Sequence, residues 1–361
     1  MRRQINSYKP LAYATLYAFT AWLLVYFLAR WNEFTQNLYP NFYAWFQPAY
    51  SKLFGFVPFS VGDLLYGFLV LILIISFSVL IRCFALGQKW RGIRVVSRLI
   101  KTFAMLYVVF HLLWGFNYYK PNLSESLNGK DYTNEELKFI ANDCLEKSIA
   151  LREDLDENKN KVFHFERYQF YQNLPSFLNL NISSLQYAET PKSSLKKYSL
   201  YSLFMRYFGI SGYFNPFTSE AQVTRLTPST SMPFSMAHEQ AHQMGYATEY
   251  EANFIGYLTC IQSKDKALAY SANFKALNYV LREIYPRDSA FVYQKLNEFS
   301  PGMQRDYEAE KEFNEKYRGR SNQMFSAMNH LYLKANNQKE GIESYNRFVE
   351  LLVGYYRTEM E

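Results

Sequence analysis

The chain has 361 residues, 49% of them hydrophobic and 19% aromatic, with a formal net charge of +7. Its three cysteines, Cys83, Cys144 and Cys260, are too few for a disulfide framework and have no metal-site spacing. The positive charge does not point to a nucleic-acid partner: residues 1–117 carry eleven Lys and Arg against two acids, a net of +9, which leaves −2 for residues 118–361.

Three apolar stretches, about 11–29, 62–81 and 99–117, each approach the roughly 20 residues that cross a hydrocarbon core. They predict a membrane anchor of three transmembrane helices over 1–117, followed by a separate domain over 118–361. The first stretch is long, rich in aromatics and lacks a small-x-small cleavage site, so it reads as an uncleaved anchor and not as a signal peptide. The third contains Lys101 and His111, and His111 is expected as a neutral imidazole hydrogen-bonded between spans. Basic residues flank two of the three connections. Arg2, Arg3 and Lys9 precede the first span, and Arg82, Lys89, Arg91, Arg94, Arg98 and Lys101 lie around the second link. The first link, 31–61, has only Lys52 and Glu33, with Arg30 at its edge. The positive-inside rule therefore predicts a multi-pass protein of the cytoplasmic membrane with its C-terminal domain extracytoplasmic, on the periplasmic side.

After a linker at 118–127, Thr133-Asn-Glu-Glu136 has the pattern of a capped helix start, and a helix is expected from there toward Leu151. Residues 152–162 are charged and read as a solvated turn. A further helix is expected over Tyr168–Leu178, and a basic loop and helix over Pro191–Leu203. Residues Ser211–Thr224, punctuated by Gly212, Asn215 and Pro216, predict extended or hairpin structure, with an edge that an extended peptide can join. Helical patterns recur at about 263–284, 288–299, 303–316, 321–335 and 340–357. The fold class is therefore mainly α, with one small sheet. Cys144 and Cys260 fall in apolar helical settings and are read either as one disulfide or as two buried thiols.

The stretch that carries chemistry is Ser235–Leu258, which contains His238, Glu239 and His242 as H-E-x-x-H. Positions i and i+4 project from one face of a helix, so the two imidazoles can occupy two corners of a zinc tetrahedron. The glutamate beside the first histidine then reaches a water polarised by the metal and acts as general base. Gly245, three residues past His242, is placed to end the helix in the left-handed region, and a second helix is expected from about Ala247. That helix opens with Glu249 and Glu251, either of which can supply the third metal ligand. Glu249 is preferred because it shares a face with Asn253, which is then positioned to hydrogen-bond a ligand, with Glu251 as the alternate. Oxyanion-stabilising donors are sought among His330, Tyr332, Tyr345 and Arg347 of the late helices.

Residues 238–253 resemble the zincin metallopeptidases, in particular the gluzincin group, and Glu249-Tyr-Glu-Ala-Asn253 is similar to their E-x-x-A-[DN] segment, whose first glutamate is the ligand. Only six residues separate His242 from Glu249, fewer than is usual in that group. The position of Gly245 is similar to the metzincins, but Thr248 stands where their third histidine would be. The whole chain resembles an uncharacterised bacterial family of unknown function with three N-terminal membrane spans and a zincin-like domain. Trp114-Gly-Phe-Asn-Tyr-Tyr119, Tyr332–Gln338 and Gly341–Tyr345 share in that likeness.

Taken together, the residues and the resemblance imply a membrane-anchored zinc metallopeptidase with a mostly helical α+β zincin-like domain. The expected cofactor is Zn²⁺. The expected partners are a peptide or protein substrate and the lipid bilayer, with no nucleic acid. Two other readings stand beside it: a non-catalytic envelope protein whose metal site is structural and which binds a partner or cell-wall component, and a metal-dependent hydrolase of a non-peptide bond.

Overall fold

The computed structural model describes residues 2–123, 127, 129–165, 196–336 and 346–360. The expected mainly helical architecture with one small sheet is present. Helices α1 (Arg2–Leu28), α2 (Tyr39–Gly55), α3 (Val61–Ala85) and α4 (Lys89–Leu113) form the N-terminal part. Three of them, α1 from Tyr8, α3 and α4, are long and apolar enough to cross a membrane. At 25 residues, α3 reaches about 37 Å, beyond a hydrocarbon core of roughly 30 Å. Phe68, Ile74, Phe77 and Phe84 on α3 are exposed, as a lipid-facing helix requires.

Two expectations for this part need correction. The basic stretch before the third span is not a loop: α4 begins at Lys89 and ends at Leu113, so Arg91, Arg94, Arg98 and Lys101 are helical. The helix stops because Trp114 leaves helical geometry (φ −159°), and Gly115–Tyr119 form a 3₁₀ turn. His111 Nδ1 lies 2.9 Å from the Tyr107 carbonyl of its own helix, so it bonds within α4 and not between spans. The first link is largely ordered helix. In α2 the residues Tyr39, Tyr43, Gln47 and Ser51 recur every fourth position and are buried against the domain. Phe42, Trp45, Leu53 and Phe56 are exposed around it.

The helix after Thr133 is present as α5 (Asn134–Arg152), with both halves of the expected capping box formed. The expected helix over Tyr168–Leu178 lies outside the described residues. In the region read as basic loop and helix, Lys196–Tyr198 is instead strand β1, and a short helix α6 (Ser202–Tyr207) follows. The strand is possible because Lys197 is buried with full compensation: its Nζ donates to Glu220 (2.6 Å) and to the carbonyls of Phe54 and Phe59. The expected hairpin is β2 (Gly212–Asn215) and β3 (Glu220–Val223), antiparallel with Gly212 opposite Val223. β1 joins β3 in parallel, giving the order β1-β3-β2 and leaving β2 at an edge.

Helices α7 (Met232–Gln243), α8 (Glu249–Ile261), α9 (Lys266–Ile284), α10 (Ser289–Asn297), α11 (Pro301–Lys316), α12 (Arg320–Ala335) and α13 (Asn346–Met360) complete the chain. α8 and α9 are the centre of the core: Phe254, Ile255, Leu258, Phe274, Leu277 and Val280 are all 0–1% exposed. Truncating one such leucine to alanine costs about 2–5 kcal/mol. Cys144 and Cys260 are both buried and not joined in a disulfide, which selects the thiol reading.

Candidate active site

The site is built on α7 and α8. Met232, Met236, Ala237 and Ala241 bury one face of α7, which fixes the direction of His238 and His242. Their rings lie 4.7 Å apart between centroids. α7 ends as its sequence suggests. Gly245 has φ +92°, its N–H bonds to the His242 carbonyl and the Tyr246 N–H bonds to the Ala241 carbonyl, which is the paired closure of a glycine-terminated helix. This turn sends the chain back along α7 as α8. The two helices approach closely at Gly256, where a Cβ would stand 3.0 Å from His238 N and 3.2 Å from its Cα.

That approach brings the acidic end of α8 over the histidines. Glu249 Oε2 is 3.4 Å from His238 Nε2, and its Oε1 is 3.9 Å from His242 Nε2. His238 Nδ1 is 2.9 Å from Asn253 Oδ1, and His242 Nδ1 is 2.7 Å from the Tyr246 carbonyl. Carbonyl oxygens only accept, so each Nδ1 carries a proton and each Nε2 is the ring nitrogen turned toward Glu249. Two imidazole Nε2 atoms and one carboxylate, each imidazole held by an outer acceptor, form a donor set suited to zinc.

Glu239 comes within 4.8 Å of both histidines and so satisfies a simple proximity test for a ligand. Its carboxylate also lies against β2, where a Cβ on Gly212 would be 2.8 Å from Oε1. Glu249 is the better-placed third ligand, because its two oxygens face the two Nε2 atoms. The alternate, Glu251, points elsewhere: it accepts from the Thr248 hydroxyl (2.6 Å) and the Leu123 N–H (2.7 Å). Burial pushes the Glu239 carboxyl up to about 8, against the pull of His238 and of the Phe214 backbone N–H. Burial, helped by His238, pushes His242 down to about 4. Burial also opposes charge on His238, but its bond to Glu249 and the nearby Glu239 outweigh that and raise it.

These groups open onto a cleft of about 760 Å³. One side is β2 with Ser211–Phe214, and another is the face of α12 carrying Asn322, Phe325, Asn329 and Tyr332. Tyr66, Phe110, Trp114 and Tyr118 from the N-terminal part also line it. Trp114 Nε1 donates to the His242 carbonyl (2.8 Å), and Tyr43 OH donates to the Gln243 carbonyl (2.9 Å), so two aromatic side chains secure the end of α7.

Among the late-helix candidates, Tyr332 lines the cleft, and the Tyr118 hydroxyl is 3.4 Å from its own. His330 is not among the cleft-lining residues described. Arg347 stacks on Tyr250, 5.4 Å from the ring centre, and Tyr345 lies outside the described residues. Sequence reasoning did not single out Tyr118 as a site residue. The signal was the aromatic run at Trp114–Tyr119 directly after an apolar helix, quoted above only for its likeness to a family.

A family profile described as "Protein of unknown function (DUF3810)" matches residues 39–353. No curated protein and no solved structure matches the chain.

Proposed function

The chain belongs to the DUF3810 family, whose function is unknown, and we propose from its own residues that it is a membrane-anchored zinc-dependent peptidase. The observation that carries this reading is the pair of Nε2 atoms of His238 and His242 turned toward Glu249, with both Nδ1 atoms held by acceptors. His238, His242 and Glu249 would hold the ion. A zinc ion bound there supplies Lewis acidity, polarising a scissile carbonyl and making the attacking water more acidic.

The remaining chemistry belongs to the chain. Glu239 takes the proton from the attacking water and delivers it to the leaving amine, a role that suits a carboxyl whose burial raises it toward neutrality. Asn253 and the Tyr246 carbonyl hold the imidazoles in one tautomer. Tyr118 and Tyr332 border the cleft as donors for developing negative charge on the carbonyl oxygen. The edge position of β2 suits an extended peptide that pairs with its backbone.

By the positive-inside rule the basic residues favour a cytoplasmic N-terminus and start of α4, which would put the site on the outer side of the cytoplasmic membrane. In support, the end of α1, the start of α3 and the end of α4 all meet the domain: Val25 and Trp114 share a core, and the Val61 N–H bonds to Glu220.

The test is Glu239→Gln in the full-length protein. The variant is expected to retain about one zinc per chain by metal analysis while losing at least about 100-fold in peptide cleavage. Wild-type cleavage rates in the variant, or a purified wild-type chain that takes up no zinc, would sink the proposal.

A further inference from the structure

The cleft is set unusually close to the helices that can cross a membrane. Tyr66 lies in the second turn of α3 and Phe110 in the last turn of α4, and both line it. The β2 wall is fastened to the same level of α3. The Tyr213 hydroxyl donates to Asp63, which also accepts from Ser199 Oγ (3.0 Å) and the Leu200 N–H (2.6 Å).

Among the described residues, the surface around the cleft at this level exposes apolar side chains. α6 runs beside the first turns of α3: the Tyr201 hydroxyl donates to the Asp63 carbonyl (3.1 Å) and would touch a Cβ on Gly67. On α6, Leu203 and Phe204 are 58% and 65% exposed. α2 is tied to the cleft by Tyr50, whose hydroxyl donates to the carbonyl of cleft-lining Phe217 (2.7 Å). Trp45 and Phe56, on and just after α2, are 75% and 83% exposed. Lys52 is the single charged residue between Phe34 and Gly62. A helix bathed in water carries charge on its outer face, whereas one lying in a bilayer interface presents aromatic and aliphatic side chains. α6 is bonded to the head of α3 through Tyr201, and α2 leads into α3 through residues 56–60, so one occupant, the bilayer, accounts for both surfaces.

We propose that the cleft opens at the bilayer interface and that its substrates are polypeptide segments tethered to or lying in that layer, not peptides free in solution. This substrate class rests on the peptidase reading. The position of the cleft does not.

Two measurements on the full-length chain in phosphatidylcholine–phosphatidylglycerol vesicles test it. In the first, one mixed-sequence peptide library is offered free and coupled to a phospholipid headgroup. The coupled form is expected to be cut at least about 10-fold faster, because confinement raises its effective concentration at the cleft. Equal rates for the two forms would overturn the substrate class and leave the peptidase reading standing. Cleavage of neither form would remove the peptidase reading and the substrate class together. In the second, a nitroxide is attached to Phe204→Cys, and separately to Trp45→Cys, in the Glu239→Gln background. Collisions with oxygen are expected to exceed those with a water-soluble nickel chelate at both sites. Dominant nickel collisions at both would place the rim in water and overturn the proposed position, whatever the cleavage assay gives.

Discussion

Asn253 does more at this site than its neighbours in sequence suggest. It touches His238 from one turn beyond Glu249, so a single helix face supplies both the acid and the group that orients an imidazole. Replacing Asn253 by alanine removes the acceptor for Nδ1–H. Zinc affinity is expected to fall about 10- to 100-fold by competition with a chelator, while Asn253→Asp, which keeps an acceptor, loses less. The adjacent carboxylates show how far spacing could be read. The i,i+4 relation favoured Glu249, but two acids two residues apart stayed open until the partners of Glu251, Thr248 and Leu123, were placed. Leu123 is 128 residues away in the chain, a distance no local pattern spans.

Glu239 has a stability signature of its own. Its folded value of about 8 lies above the ordinary 4.5, so the folded chain binds more protons than the unfolded chain between those limits. Stability of metal-free protein therefore falls as pH rises from about 4.5 to about 8, through this group alone. Glu239→Gln cannot ionise. In the presence of chelator it is expected to melt with wild type near pH 4.5 and above it at pH 8 to 9. A variant that melts below wild type at the higher pH would refute the assignment of a buried, strained carboxylate.

Among the elements, the crossing of α7 and α8 sets the geometry. Gly256 lets the helices close on His238, and a methyl group there must push them apart. Gly256→Ala is expected to cost about 1–3 kcal/mol in chemical unfolding and to weaken zinc binding, because the separation moves Glu249 and Asn253 away together. A variant equal to wild type in both would show that the crossing has slack.

The α7–glycine–α8 unit was legible because its signals are local: buried residues at helical spacing, an i,i+4 histidine pair and a glycine where the left-handed turn falls. The capping box of α5 and the β2–β3 hairpin were legible for the same reason. β1 was not, since three residues have no periodicity and two of them are lysines. α2 lies inside the stretch taken as the first link, with Pro40 at the start of the helix and Pro48 at a tolerated interior position. The start of α4 was missed because a run of basic residues looks like a link, although lysine and arginine are good helix formers.

For the whole molecule, the division near residue 117 runs through shared packing. Val25, Tyr39, Tyr43, Trp114, Phe116, Tyr118 and Ala247 form one buried cluster that joins the N-terminal helices to the turn between α7 and α8. Trp114→Phe removes the donor to the His242 carbonyl together with the five-membered part of the buried indole. The loss is expected to be about 1 kcal/mol, a fall of roughly 2–4 °C in Tm measured in detergent. An unchanged Tm would show that neither the bond nor the lost part of the ring contributes to stability.

Glu220 joins the same two halves at another point. Its carboxylate receives the N–H groups of Val61 and Gly62 at the head of α3, as well as Lys197 and Thr218. Those two amides are synthesised 159 and 158 residues before the side chain that satisfies them. While the ribosome works through that interval, the head of α3 is without this carboxylate. These two bonds at the head of α3 thus wait for a strand made long afterwards, and the first turn of an early helix is completed by the late chain.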